Sequence, residues 1–482
     1  MSHLQQIKNN ALVSNSLFIF LTRFFPSLAN TIVLILFSRN LDKETYGLYQ
    51  NFWIQLNILF PIACFGIHVL LVTYSPAIMV RLMTSLKAKH YVVYSFWVML
   101  FSSVFALLQF KALALNFIVP LFFLLSYSLS FILESTLIVF KSFKALVTIS
   151  FFYSVAFTAL HWAYLHYEFP LQALFVFLLF ITSVRLLLYA FISNSNVKKY
   201  ENAPLQQDVS LKNVRSLWLH LGLYDVLQVL FSWADKFIMS LILIASVSAV
   251  YYNGAMNIPF LPLLLSAAGS AILIQLSTTD KEKEPAHTLR LLNQSGRMLS
   301  SIVFPVFLFL LLFRYELFSV LLSDQYLASV PVFLVAIMSL PLRAYTFTTV
   351  LQNHHRGAII NIGAILDIVI ACLLIYPFYK WFGLPGVAMA FVVTTYLQAG
   401  YYLYHTARTL NVKIPALLPF RNWVVKLIVL AIVFIIIHYL LSYFFAPAIT
   451  LILGGMLSVI IILISLWIEL KNNKVVYGKA LS

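Results

Sequence analysis

Long apolar stretches make up most of this 482-residue chain and constrain its fold more than any other feature. A helix of roughly 20 apolar residues crosses the hydrocarbon core of a membrane, which is about 30 Å thick. Hydrophobic residues are 62% of the chain and charged residues 10%. Soluble proteins average about half and a quarter, so both a soluble enzyme and a disordered chain are excluded. The sequence predicts an all-α polytopic membrane protein.

Hydropathy predicts about fourteen transmembrane spans. Six precede a polar stretch, and eight follow it. The predicted spans are 14–37, 48–74, 91–110, 113–139, 145–165, 171–192, 217–244, 247–277, 296–313, 328–351, 358–379, 384–405, 423–444 and 447–469.

The distribution of Lys and Arg predicts the orientation, because short cytoplasmic loops are enriched in them. With the N-terminus inside, 22 of the 31 basic residues lie in inner segments and five in outer loops. The net charge of +16 then faces anionic lipid at the cytoplasmic surface rather than nucleic acid. Both termini are expected in the cytoplasm.

The polar stretch suggests a division into two lobes of six spans. Tyr49 and Gly66 are 17 residues apart, as are Tyr252 and Gly269, which is consistent with a duplication. Paired repeats with a binding site between them are a common transporter architecture. The predicted parts are an N-terminal lobe (1–192), a cytoplasmic linker (193–216), a C-terminal lobe (217–405) and two extra helices with a tail (406–482).

Eight charged residues lie inside the predicted spans. A charge at the bilayer centre costs at least about 2.5–3.5 kcal/mol, so such groups usually face a partner or water. Several recur at helical steps of three and four, which places them on polar stripes. A polar cavity between two lobes would accommodate them all. They are Arg23, Glu134, Arg185, Asp225, Asp235, Lys236, Arg343 and Asp367.

The chemistry of these groups predicts their roles. Arg binds phosphate through paired donors, and amides suit sugar hydroxyls. The predicted substrate-binding residues are Arg23, Asn30, Asn57, Lys236, Asn253, Asn257 and Arg343. Desolvated carboxyl groups can exchange ions during transport. The predicted residues for proton or sodium coupling are Glu134, Asp225, Asp235 and Asp367.

Structural roles remain open for several of these groups. Asp235 and Lys236 are adjacent and can form a local ion pair. Arg343 and Asp367 can form a structural salt bridge between successive spans. Arg185 lies toward the inner end of its span, which favours a side chain that reaches the interface. Neither the two cysteines nor any other spacing predicts a metal site or a cofactor.

Four short segments carry a resemblance to a known family. They are SRNLDKETYGLY at 38–49, Asp235–Lys236, YYNGA at 251–255 and FGLPGVA at 382–388. Their order and spacing resemble bacterial polysaccharide flippases of the Wzx type, in the multidrug/oligosaccharidyl-lipid/polysaccharide exporter superfamily. The likeness covers essentially the whole chain.

The resemblance implies two six-helix lobes in a V around a central cavity, with two further helices. It implies export of an undecaprenyl-diphosphate-linked oligosaccharide from the inner to the outer leaflet by alternating access, for surface polysaccharide biosynthesis. Basic cavity residues hold the pyrophosphate in such flippases, and Arg23 matches that position. A polysaccharide polymerase is a further expected partner. The small number of basic residues in the spans departs from the strongly cationic pattern.

Two other functions compete with a flippase. One is a cation-coupled antiporter for small molecules on the same scaffold. The other is a membrane-embedded glycan polymerase or ligase, which needs a long outer loop with catalytic Arg or His, and the predicted outer loops are short. The sequence therefore predicts a transporter rather than an enzyme.

Overall fold

The chain is an all-α polytopic membrane protein. The computed structural model describes residues 3–113, 115–200, 211–256, 258, 285–354 and 356–480. No strand occurs within those ranges. Helices satisfy every backbone N–H and C=O within one segment, which is what long apolar runs require in lipid.

Contacts divide the chain into two compact units, 1–249 and 250–482. The described helices that begin in the first unit are α1 (His3–Asn40), α2 (Lys43–Cys64), α3 (Ile67–Val72), α4 (Pro76–Ser85), α5 (Ala88–Leu113), α6 (Ile118–Val139), α7 (Phe143–Tyr167), α8 (Leu171–Tyr200), α9 (Leu211–Ile242) and α10 (Ala245–Gly254). The helix α9 packs on α2 and α3 and belongs to this unit. The predicted division into lobes at residues 192 and 217 stays a prediction.

The described α-helices of the second unit are α11 (Pro285–Leu312), α12 (Arg314–Leu317), α13 (Val330–Ile337), α14 (Thr349–Asn353), α15 (Gly357–Phe382), α16 (Leu384–Leu410), α17 (Ile414–Leu417), α18 (Phe420–Phe444) and α19 (Pro447–Ala480). Short π and 3₁₀ segments join α12 to α13, and another 3₁₀ segment, Leu340–Ala344, precedes α14. The predicted span 328–351 is therefore not one continuous α-helix, and helical phase does not place Arg343 on a stripe.

Ten of the described helical segments are long and apolar enough to cross a membrane. They agree in position with ten of the fourteen predicted spans. The other predicted spans correspond to α2 with α3, to α9, to α16, and to the segment from α10 into residues outside the described ranges. These helices carry more polar residues, as membrane helices do when they face protein or water.

The segment that carries the resemblance forms a capped helix start and a close helix contact. The carboxylate of Asp42 accepts hydrogen bonds of 2.9 Å from the backbone N–H groups of Glu44 and Thr45 and thereby caps α2. A Cβ on Gly47 would lie 2.0 Å from the carbonyl oxygen of Ala245, so only glycine fits against the start of α10. The motif therefore has a packing role in this fold.

Aromatic rings fill the core of the first unit behind α2. Phe52 stacks on Phe175 with 4.1 Å between ring centroids and meets Phe123 edge to face. The hydroxyl of Tyr49 lies 2.8 Å from Nε2 of His161, both of them buried. Aromatic pairs add to apolar burial, and the polar tips of Tyr49 and His161 satisfy each other. This core packs α2 against α7 and α8.

In the second unit, polar side-chain contacts fasten the last two helices to their neighbours. Nζ of Lys426 on α18 lies 3.0 Å from Oε1 of Glu469 on α19 and donates to the carbonyl oxygen of Arg297 on α11 at 2.9 Å. Farther along α18, Nε2 of His438 lies 2.9 Å from Oε1 of Glu316 on α12. Contacts at two points along α18 thus hold the hairpin of α18 and α19 against α11 and α12.

Candidate functional site

A glycine contact brings α3 against α9 in the first unit. A Cβ on Gly66 would lie 2.5 Å from the Cα of Gly222, so the two backbones touch. Phe65 and Gly66 have φ values of 40° and 67°, which break the predicted span 48–74 into α2 and α3. The indole N–H of Trp218 donates to the backbone oxygen of Phe65 at 2.8 Å. The two left-handed residues, Phe65 and Gly66, thus set the direction in which the first turn of α3 continues.

His68 and Asp225 face each other one turn beyond that contact. Nε2 of His68 lies 3.6 Å from Oδ1 of Asp225, which is longer than a hydrogen bond. Their side chains are 13% and 18% exposed. The second ring nitrogen of His68 and the second oxygen of Asp225 have no hydrogen-bond partner among the described residues. The pair thus retains hydrogen-bonding capacity.

Arg23 is the predicted phosphate-binding cation of the same unit. It lies on α1 with an exposed side chain. No described residue forms an ion pair with it. A guanidinium, an imidazole and a carboxylate thus lie on three helices of one unit. They can bind a phosphate and exchange a proton, and we call Arg23, His68 and Asp225 the open cluster.

The sequence identified two members of the open cluster and missed His68. Hydropathy runs through the break at Phe65 without a change, so nothing in the apolar pattern distinguishes His68. The glycine contact was equally hidden, because Gly66 had been matched to Gly269 by spacing rather than to Gly222 by packing. An isolated Gly in an apolar helix marks such close contacts, and it was the available signal.

Two further predicted residues, Asp235 and Lys236, form a buried local pair. Nζ of Lys236 lies 3.3 Å from Oδ1 of Asp235 and 5.7 Å from the centroid of the Trp233 ring. Both residues are less than 9% exposed. This geometry matches the local ion pair that the sequence offers as an alternative. The carboxylate of Asp235 thus compensates the charge of Lys236 within the same helix.

A row of buried polar side chains follows α2 beside this pair. The amide nitrogen of Gln55 donates to the hydroxyl of Ser240 on α9 at 3.4 Å, and Gln109 on α5 donates to the amide oxygen of Gln55 at 2.7 Å. The hydroxyl of Ser248 on α10 donates to Asn51 at 2.7 Å. The sequence had singled out Asn57 on this helix instead, and that residue is half-buried.

Glu134 and Arg185 form a closed ion pair between α6 and α8. A guanidinium nitrogen lies 2.7 Å from Oε2 of Glu134, and each side chain is 11% exposed. The guanidinium lies over the rings of Tyr153 and Tyr189, at 4.9 and 5.2 Å from their centroids. Arg185 therefore does not reach the interface as expected. Its pairing favours a structural role for Glu134, whose predicted role in coupling stays a prediction.

In the second unit, Asp367 on α15 is 4% exposed and faces α16. It lies near Thr394, but no described residue donates a hydrogen bond of normal geometry to either carboxylate oxygen. Arg343 is exposed and forms no ion pair with a described residue, so the alternative of a salt bridge to Asp367 is wrong. A Cβ on Gly363, one turn before Asp367, would meet the ring of Tyr402 at 2.4 Å. Tight packing of α15 on α16 thus encloses the carboxylate.

The remaining predicted ligands are amides. Asn30 on α1 is exposed, and Asn253 on α10 is fully buried. Asn257 lies outside the described residues. The sequence predicts that all these groups face one common cavity. This stays a prediction, because the groups lie in two units that are each described separately.

Comparison with known proteins supports the fold. No family model matches the chain, and no curated protein matches it by sequence. Among solved structures, the lipid II flippase MurJ in an inward closed conformation is similar over 97% of this chain and 100% of its own, with a TM-score of 0.64 and 15% identity. The chain thus has the fold of that flippase.

Two transporters of the multidrug resistance MATE family are similar at lower scores. One, an inward-facing transporter of the same exporter superfamily, covers 80% of this chain and 94% of its own, with 13% identity and a TM-score of 0.48. The other, VcmN of Vibrio cholerae in its bent form, covers 83% and 98%, with 13% identity and a TM-score of 0.43. Scores below 0.5 add nothing to the assignment of the fold.

Proposed function

We propose that the protein is an alternating-access flippase that moves undecaprenyl-diphosphate-linked oligosaccharides from the inner to the outer leaflet of the bacterial inner membrane. The observation that carries this proposal is Arg23, an exposed cation on a membrane helix that no described acid neutralises. An unpaired charge at this depth is costly, and a phosphate is the partner that a guanidinium binds best. The fold shared with a lipid flippase over the whole chain supports the same function.

The substrate diphosphate would bind at the open cluster. Arg23 would hold it through paired N–H donors, and His68 would approach it with its unpartnered ring nitrogen. Exposed Arg343 is a second candidate for the phosphates, whereas Lys236 is engaged by Asp235. The amides of Asn30, Asn57, Asn253 and Asn257 stay proposed ligands for sugar hydroxyls.

Ion coupling is proposed at two acids. One carboxylate oxygen of Asp225 has no hydrogen-bond partner among the described residues. Neither carboxylate oxygen of Asp367 has one. A desolvated carboxylate gains most from binding a proton or a cation, so a gradient can act on these groups. The paired acids Asp235 and Glu134 have less to gain. No covalent chemistry and no bound cofactor enter this mechanism.

Replacing Arg23 tests the proposal. Loss of a hydrogen-bonded charge contact costs about 1.5–3 kcal/mol, so Arg23→Ala should lower transport by roughly 10- to 100-fold. The readout is surface polysaccharide in cells that depend on this protein, with its membrane level measured by immunoblot. Arg81→Ala is the matched control, because Arg81 is an exposed arginine outside the predicted spans.

Normal polysaccharide display by the Arg23→Ala cells would remove Arg23 from the mechanism. Arg23→Lys retains the charge and should restore part of the activity. A cation-coupled antiporter is the competing function, and the enclosed carboxylate of Asp367 suits it as well. Efflux of small cationic drugs with no effect on polysaccharide would establish that function instead.

A further inference from the structure

A cavity of about 520 Å³ opens in the first unit beside the connection from α6 to α7. Phe18 of α1, residues 141–145 and the last turns of α8 line it. The positive-inside distribution places this connection at the cytoplasmic surface. None of its residues belongs to the open cluster.

Three lysines give the cavity its charge. Lys141, Lys144 and Lys199 line it, and no acidic residue is among its described lining. Nζ of Lys199 donates to Oδ1 of Asn196 at 3.2 Å, and the amide nitrogen of Asn196 donates to the hydroxyl of Ser142 at 3.0 Å. These contacts join the end of α8, which carries Lys199, to the connection that carries the exposed Lys141 and Lys144.

The first turn of α7 adds backbone donors to the same space. Ser142 precedes the helix without capping it through its side chain, so the first N–H groups of α7 have no acceptor from the cap. Phe143, Lys144 and Ala145, which provide those groups, all line the cavity. Positive charge and free N–H groups together select an anion with several oxygens, such as a phosphate.

An apolar wall continues from the cavity into the hydrocarbon. The rings of Phe18 and Phe143 are parallel to within 3°, with 6.4 Å between centroids. Phe191 lines the cavity and is 77% exposed. Leu187 and Phe180, at 68% and 67% exposed, lie four and eleven residues before it on the same face of α8. The wall thus leads from the lysines to a ridge that faces lipid chains.

We propose that this cavity is a binding site for an anionic glycerophospholipid, with the phosphate among the three lysines and an acyl chain along Phe191 and the ridge of α8. Basic pockets between transmembrane helices on the cytoplasmic side bind lipid headgroups in this way. The volume is of the size that binds small ligands and headgroups. The apolar ridge favours a lipid over soluble phosphate, because only a lipid has acyl chains that can pack on it.

Lipid titration of the purified full chain tests this site. The protein is titrated with phosphatidylglycerol, phosphatidylcholine or inorganic phosphate and analysed by native mass spectrometry. We expect phosphatidylglycerol to bind tightest and the triple variant Lys141→Gln/Lys144→Gln/Lys199→Gln to bind it roughly 100-fold more weakly. Lys87→Gln/Lys89→Gln/Lys413→Gln is the matched control, since these exposed lysines lie outside the cavity.

Equal affinity of the two triple variants would overturn the proposal, as would equal affinity for the two lipids. Displacement of phosphatidylglycerol by inorganic phosphate at similar concentration would identify a soluble phosphate as the ligand and also overturn it. The variant Lys141→Arg/Lys144→Arg/Lys199→Arg should keep full affinity, and it provides the test if the glutamine variant does not fold. The readout is binding, so it stands apart from the outcome for transport.

Discussion

Two charged sites of the first unit differ in how closely their charged side chains pair with each other. Between α6 and α8, Glu134 and Arg185 meet at 2.7 Å under two tyrosine rings. Between α3 and α9, His68 and Asp225 stand 3.6 Å apart, and each has an atom without a described partner. Both sites are mostly buried, so burial alone does not separate them.

We infer from this difference that the closed pair has a structural role and the open cluster a role in transport. In the closed pair the two charges compensate each other directly, although Nε of Arg185 has no hydrogen-bond partner among the described residues, and removing one partner leaves an uncompensated charge. An open cluster still has capacity that a substrate or an ion can fill. We therefore expect substitutions at the closed pair to act on stability and substitutions at the open cluster to act on transport.

The largest effect is expected at the closed pair. Arg185→Met leaves Glu134 buried without its counter-charge and should lower the free energy of unfolding by about 3–5 kcal/mol. Denaturant unfolding in detergent measures it. The double variant Glu134→Gln/Arg185→Met should recover most of the loss. A single variant as stable as the wild type would show that the pair has no structural role.

The next effect is expected at the glycine contact that positions the open cluster. A Cβ on Gly222 would lie 2.7 Å from the ring and the carbonyl oxygen of Phe65, so Gly222→Ala should cost about 1–3 kcal/mol by overpacking. Gly400→Ala is the control, because Gly400 has open space around it and alanine favours a helix. Equal stabilities of the two variants would mean that α3 and α9 do not touch here.

A smaller effect, on transport rather than stability, is expected at the unpaired acids. Asp225→Asn and Asp367→Asn should change unfolding free energies by about 1 kcal/mol or less, because neither carboxylate has a complete set of partners to lose. Both variants should lose the dependence of transport on a proton or sodium gradient, measured in vesicles with an imposed gradient. Asp324→Asn is the control that should keep it, because Asp324 is an exposed acid outside the predicted spans. Wild-type gradient dependence in both variants would end the coupling assignment.

The smallest effect is expected at the cap of α2. The backbone N–H of Thr45 donates to the carboxylate and lowers the pKa of Asp42 below its usual value. The cap thus stabilises the fold at neutral pH, and its contribution is lost as the pH falls through the lowered pKa. Asp42→Ala should cost about 1 kcal/mol at pH 7, measured by unfolding, whereas Asp42→Asn should cost less. A cost that is unchanged at acidic pH would contradict the role of the carboxylate.

The sequence predicted the helical membrane class well because span length and apolarity follow directly from the thickness of a bilayer. It failed where the backbone breaks inside an apolar run. The left-handed residues at Phe65 and Gly66, and the 3₁₀ segment around Arg343, leave hydropathy unchanged. An unbroken helical phase therefore places Arg343 on a stripe that does not exist, and hydropathy gives no sign of the turn that carries His68.

Pair partners were also beyond the sequence. Arg185 meets Glu134 from 51 residues away, and Gln55 meets Gln109 from 54, because helices that are distant in the chain pack side by side. Only the adjacent pair Asp235 and Lys236 was within reach of local reasoning. Arg23, in contrast, is recognisable from the sequence as a cation without a nearby acid in the chain, and its role in binding stays a prediction.

Translocation of a lipid-linked oligosaccharide in proteoliposomes tests the central claim most directly. The substrate is a fluorescent undecaprenyl-diphosphate oligosaccharide, and a membrane-impermeant quencher reports the leaflet in which its headgroup lies. We predict that the wild type makes the inner-leaflet pool accessible to the quencher and that Arg23→Ala leaves this pool protected. A pool that stays protected with the wild type, or that Arg23→Ala releases equally fast, would contradict the account.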